Sequence, residues 1–124
     1  MVDYLFNFII FNYMVENKNL NRIFGALADP TRRILLDILK FGPKRVTELA
    51  ESFEISLNAV SKHIKYLEKA GLIIRHQKGR DHIITLNPKP LDSAISLLNY
   101  YQEFWQRQLN SLENFLNKQS EKGE

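Results

Sequence analysis

The segment from Ser56 to Gly71 constrains this chain more than any other stretch. It predicts a helix with two sides that must face different media. Val60, Ile64 and Leu67 recur at i, i+4 and i+7, so they form one apolar stripe that needs a core to pack against. Asn58, Ser61, Lys62 and Lys65 recur at i, i+3, i+4 and i+7 on the other side, with no carboxylate among them. Amides and hydroxyls can read base edges, and ammonium groups hold phosphates. Ser56 suits the N-cap, and Gly71 can take the positive φ that ends a helix at C′. The segment therefore fits an element lying in a DNA major groove.

Its neighbours supply the core. Leu20, Ile23, Phe24 and Leu27 recur at helical spacing, and Asp29-Pro30 then offers an N-cap followed by proline at the first helical position. The helix after Pro30 is expected to turn Ile34, Leu35, Ile38 and Leu39 inward and to stop at Gly42-Pro43. A short helix over about Val46 to Ser52 follows, with Leu49 and Ala50 inward and Phe53-Glu54-Ile55 as the turn. Beyond Gly71, Leu72–His76 and His82–Leu86 read as strands. The loop between them is expected to span Gln77-Lys78-Gly79-Arg80-Asp81.

After Asn87-Pro88-Lys89-Pro90, a last helix is expected from about Leu91 to Leu116. Leu91, Ile95, Leu98, Gln102, Trp105, Leu109, Leu112 and Leu116 alternate by four and three along it, a heptad seam. A lone helix with such a stripe would expose a large apolar patch, so a second copy is expected to cover it, while part of the stripe covers the protomer's own core. Tyr100, Tyr101 and Phe104 thicken the stripe as packing residues.

The fold class that follows is mainly α with a β-hairpin: a winged helix-turn-helix in the order α-α-α-α-β-β-α, dimerising through its terminal helices. The divisions are an extension over residues 1–18, a DNA-binding core over 19–90, a dimerisation helix over 91–117 and a polar tail over 118–124. Three readings of the apolar run Leu5–Tyr13 stand open: a helix packed on the body, an apolar tail, or translation starting at Met14. The run is far shorter than the ~20 residues of a membrane span and lacks the marks of a secretory signal.

Charge agrees with a polyanionic partner. Residues 32–89 hold 12 basic against 6 acidic side chains, and residues 55–80 hold 6 against 1, although the whole chain carries only +3. The absence of cysteine excludes thiol catalysis, disulfides and thiolate metal sites. No carboxylate pair, Ser–His–Asp set or glycine-rich phosphate loop sits at catalytic spacing, and Glu48, Glu51 and Glu54 read as exposed helix and turn residues, so no enzyme is expected. In a helix-turn-helix the second helix enters the groove N-terminus first, which gives Ser56, Leu57, Asn58, Ser61 and Lys62 access to bases. Lys65 would hold the backbone, and the wing tip Lys78-Gly79-Arg80 would reach the flanking backbone or minor groove. The competing use of such a fold, as a protein-interaction module, would favour acidic or apolar residues on the outer helix face.

Leu27-Ala28-Asp29-Pro30-Thr31-Arg32-Arg33, Glu48-Leu49-Ala50, Val60-Ser61-Lys62-His63, Glu68-Lys69-Ala70-Gly71-Leu72 and Lys78-Gly79-Arg80 closely resemble the ArsR-type (ArsR/SmtB) repressors, in unbroken order over about residues 20–116. The resemblance implies a cytoplasmic, prokaryotic, homodimeric repressor on a pseudo-palindromic double-stranded DNA operator. It implies a dimer interface from the first and last helices, here Leu20, Phe24, Leu91, Ile95, Leu98, Tyr101, Trp105, Leu109 and Leu112. His63 falls at the family's Ser-x-His position, where the ring supports helix packing or contacts a phosphate. The chain departs from the family's metal sensors. Arg45-Val46-Thr47 stands where the Cys-Val-Cys of arsenic- and cadmium-type sensors would align, and no histidine follows His82 for a zinc-type site. It looks like the metal-free subgroup, with no cofactor and no metal expected. His76 and His82 could face each other across the hairpin beside Asp81, short of the four ligands a zinc site wants.

Overall fold

The computed structural model describes residues 18–122, together with Leu5 and Ile9 as isolated helical positions. The extension expected over residues 1–18 lies almost entirely outside the described residues, and so do the readings of Leu5–Tyr13. We label the elements α1 (residues 18–27), α2 (Pro30–Leu39), β1 (Lys44–Arg45), α3 (Val46–Glu51), α4 (Leu57–Lys69), β2 (Ile73–Lys78), β3 (Asp81–Leu86) and α5 (Leu91–Lys122). The chain divides into two compact units, Met1–Asp92 and Ser93–Glu124.

In the first unit the apolar stripes predicted for α3 and α4 meet in one core. Leu35, Leu49, Val60, Ile64, Leu67 and Ile84 are fully buried, with Leu39, Leu72 and Ile73 nearly so. Ile34 departs from expectation. It is 49% exposed, and Leu36 packs on the core as a partly buried side chain instead. The 3.6-residue period admits either neighbour at the edge of the stripe.

The junction between α1 and α2 explains why Asp29-Pro30-Thr31-Arg32-Arg33 stands there. The last carbonyls of a helix have no partner within it. Ala26 has no such partner at all, because the residue four places on is Pro30, which lacks an N–H. Arg32 supplies it: Nε donates to the Ala26 carbonyl at 3.1 Å and Nη2 to that of Gly25 at 2.8 Å. Arg33 Nη1 donates to the Leu27 carbonyl at 2.7 Å. Two cations thus cap the negative end of α1. Asp29 caps α2 in turn, accepting from the Arg32 backbone N–H at 3.1 Å.

The same Arg32 reaches α4. Its Nη1 lies 3.1 Å from His63 Nδ1, and its guanidinium sits 4.1 Å from the centroid of the Tyr66 ring. Gly25 makes room for this, since a Cβ there would collide with the Tyr66 hydroxyl.

Helix α4 ends in a Schellman motif. The Gly71 N–H donates to Glu68 and the Leu72 N–H to Leu67, with Gly71 at φ 77°. Asn87 ties the base of the hairpin to this turn, its side chain donating to the Gly71 carbonyl at 2.8 Å. The hairpin is tighter than expected. Strands pair through Lys78↔Asp81, so the loop is the two residues Gly79 and Arg80 rather than five. Gly79 has positive φ and Arg80 does not, the pattern of a type II′ turn with glycine first. The register also sets His76 opposite Ile83 and Gln77 opposite His82, so the two histidines do not face each other. A short strand unanticipated from sequence, β1, pairs antiparallel with β3 and completes a three-stranded sheet in the order β1-β3-β2.

Helix α5 runs 32 residues, about 48 Å at 1.5 Å per residue. It continues through Lys122, past the expected start of a polar tail. Along it Ile95, Leu98, Trp105, Leu109, Leu112 and Leu116 are exposed. Tyr100, Phe104 and Trp105 pack on one another, with ring centroids 6.5 and 5.7 Å apart for the successive pairs. Among the described residues, no helix is long and apolar enough to cross a membrane.

Candidate nucleic-acid interface

The site grows out of α4. Burial of Val60, Ile64 and Leu67 fixes the helix's rotation, which leaves Asn58, Lys62 and Lys65 exposed and Ser61 half-buried. The outer face is thus the polar, cationic one read from the sequence. Leu57 is exposed at its first turn. Ser56 serves the helix itself, because its hydroxyl oxygen accepts from the Ala59 N–H at 3.1 Å as the N-cap. That bond occupies part of the hydrogen-bonding capacity expected for base contact.

His63, expected at a phosphate or in packing, turns its Nδ1 to Arg32 at 3.1 Å and to the Asp29 carboxylate at 3.8 Å. The Arg32 N–H bonded to Asp29, with the adjoining His63 and Arg32 charges, holds that carboxyl below its usual pKa. His63 is therefore part of the α1–α2–α4 joint.

The wing tip is exposed at Lys78, Gly79 and Arg80. Its placement matters more than its exposure. A cleft of about 240 Å³ is bordered by Leu57 and Ser61 from α4 and by Arg80 from the wing, so the two expected DNA-contacting elements adjoin. Arg45 and Arg75 line the same cleft, and sequence reasoning does not single them out as site residues. No local pattern marks them, because their meeting depends on the hairpin folding back against α3 and α4.

Of the residues expected at a dimer interface, two also pack within the single chain. Leu20 is buried within the single chain at 5% exposure, and Leu91 packs against the core of the first unit. Phe24 is half-buried, while Ile95, Leu98, Tyr101, Trp105, Leu109 and Leu112 are exposed. Among the described residues, no group of three or more His, Cys, Asp or Glu could hold a metal ion, and Arg45-Val46-Thr47 offers a metal no suitable donor. The residues present do not fit the metal site that arsenic-type sensors carry.

Comparison with known proteins agrees with this geometry. Residues 29–75 match the family described as bacterial regulatory protein, arsR family. The chain is 39% identical over 82 residues to the transcriptional repressor SdpR of Bacillus subtilis (strain 168), covering 65% of this chain and 91% of that protein. It is 33% identical over 108 residues to the HTH-type transcriptional regulator Rv2034 of Mycobacterium tuberculosis, covering 87% of this chain and 98% of that protein. A crystal structure of an ArsR family transcriptional regulator superposes with a TM-score of 0.69 at 41% identity, covering 73% of this chain and 93% of that one.

Proposed function

This chain belongs to the arsR family of bacterial regulatory proteins, and on that footing we propose that it is a homodimeric repressor of its own or an adjacent operon. The observation that carries the proposal is the adjacency of the cationic outer face of α4 and the wing tip around one cleft. A helix in the major groove and an arginine-tipped wing on the flank grip a duplex from two sides. Asn58, Ser61 and Lys62 read bases; Lys65, Lys78 and Arg80 hold the backbone.

The exposed seam on α5, from Ile95 to Leu116, is the face proposed to meet the second copy. Two α4 helices related by a two-fold axis would read an inverted repeat. No observation favours the protein-interaction module. The site of action is the cytoplasm, and control is independent of metal.

Selection of bound sequences from random duplex pools tests the proposal. The expected product is an inverted repeat with half-sites about 10 base pairs apart centre to centre. If no fragment, its own promoter included, binds better than random duplex, the proposal fails.

A further inference from the structure

The cleft between α4 and the wing has a chemistry of its own. Arg45, Arg75 and Arg80 line it together with Ser61, Asp81 and His82, so three guanidinium groups face one carboxylate. Two of the cations are only partly satisfied. Arg75 uses Nε for its 3.1 Å bond to Glu68, and Arg45 turns Nε to Asp81 at 3.9 Å and to Glu48 at 3.6 Å. Among the described residues the Nη groups of Arg45, Arg75 and Arg80 make no hydrogen bond. His82 adds a buried Nδ1 that has no hydrogen-bond partner among the described residues. Buried polar atoms are ordinarily paired, by water where no protein group serves, so this nitrogen by itself specifies no ligand.

Unengaged guanidinium forks match the oxygens of phosphate and carboxylate, and a duplex backbone supplies phosphates. We infer that this cleft is a phosphate seat, formed by Arg45, Arg75 and Arg80 beside His82 and held partly shut by Asp81, Glu68 and Glu48. The backbone of a duplex with α4 in its major groove and the wing in the adjoining minor groove must cross between them, over this cleft. The inference rests on the proposed DNA binding only for the source of the phosphate. A free phosphate-bearing molecule could fill the same seat, and would then exclude DNA.

The carboxylate inside the cleft, Asp81, makes the proposal testable in both directions. The test titrates duplex DNA and, separately, inorganic phosphate into the full chain, with phosphate at constant ionic strength. The variants are Arg75→Gln, Arg75→Lys, Asp81→Asn and, as a charge control outside the cleft, Lys40→Gln. Arg75→Gln is expected to weaken operator and random duplex alike by about ten-fold and to lower the slope of log K against log salt by about one. Arg75→Lys should recover part of this, since the charge returns without the fork. Asp81→Asn is expected to tighten both duplexes by about three-fold, and this variant stands even if Arg75→Gln fails to fold. Lys40→Gln should leave the slope unchanged.

Saturable amide shifts at Ser61, Arg75 and His82 on adding inorganic phosphate, lost in Arg75→Gln, would show a seat that takes free phosphate. A response to DNA alone would assign the seat to the DNA backbone. If wild type binds no DNA, the phosphate titration still decides. The inference is overturned if phosphate gives no saturable shift while DNA binding and its salt slope are the same in wild type, Arg75→Gln and Asp81→Asn.

Discussion

Arg32→Met is the substitution that most directly tests how this fold is joined. Methionine keeps an unbranched stem beside Tyr66 and removes every donor. Lost are the bonds to the Gly25 and Ala26 carbonyls, at 2.8 and 3.1 Å, and the 3.1 Å contact with His63. Three such interactions are worth roughly 0.5–1.5 kcal/mol net apiece. The cation over Tyr66 adds about 0.5–1 kcal/mol. Because the Gly25 carbonyl keeps the Ala28 N–H at 3.3 Å, the expected destabilisation is about 3 kcal/mol, within a range of roughly 2–4. At roughly 3–6 °C per kcal/mol for a chain of 124 residues, that lowers Tm by about 9–18 °C.

Thermal and urea unfolding followed by circular dichroism, at one fixed protomer concentration, would measure it. The control is Arg33→Met, which removes a single exposed bond to Leu27 and should cost less than about 1 kcal/mol. A double cycle of Arg32→Met with Tyr66→Leu should show a coupling of about 0.5–1 kcal/mol. If Arg32→Met unfolds within about 0.5 kcal/mol of wild type, the Ala26 carbonyl was never in need of it and the account of the junction is wrong.

Other outcomes follow from single features. Leu109 and Leu112 are 59% and 55% exposed in the single chain, so the double change to alanine leaves the core untouched and removes four side chains from a two-fold dimer. At ~1.5–3 kcal/mol for each fully buried leucine, scaled to the surface still open, the dimer weakens by about 3–7 kcal/mol, roughly 10²–10⁵-fold in Kd. Sedimentation that stays dimeric at unchanged Kd counts against the seam. Ser61→Ala or Asn58→Ala should flatten preference among operator variants by about 1–3 kcal/mol per lost contact, whereas Lys62→Ala should weaken all duplexes equally; competition binding on single-base variants separates the two patterns. Asp29, with its pKa depressed, contributes stability above the ordinary carboxylate value and loses it as pH falls through the lower folded one. Unfolding scans of Asp29→Asn against wild type should therefore converge as pH drops below about 4, and a gap that widens there contradicts the assignment.

What the sequence made legible was what local periodicity controls. Val60, Ile64 and Leu67 are buried, Asn58, Lys62 and Lys65 are exposed, and Ser56 and Gly71 bound the helix as their chemistry requires. Family likeness was equally plain in the run from Leu27 to Arg33. Long-range features were not legible. A two-residue strand carries no period, so β1 left no trace until β3 supplied its partner. Arg32 stands out as part of a motif, yet its reach to His63, thirty-one residues away, depends on how α2 and α4 come together. The wing loop is short because Lys78 and Asp81 pair as strand residues, although their polarity reads as loop. Arg45 and Arg75 escape a reading by segments for the same reason: a cleft belongs to no single segment.

The smallest element has a mechanical meaning. Arg45 is at once the last residue of β1, paired with Ile83, and the residue immediately before α3, with no spacer between strand and helix. The wing is therefore not a free flap. Its central strand is stitched directly to the start of the helix that leads into α4, leaving no slack in the chain. A load on the wing tip is passed to α3 as a pull on its first turn. Fingers on the two sides of a duplex would tighten or loosen as one hand.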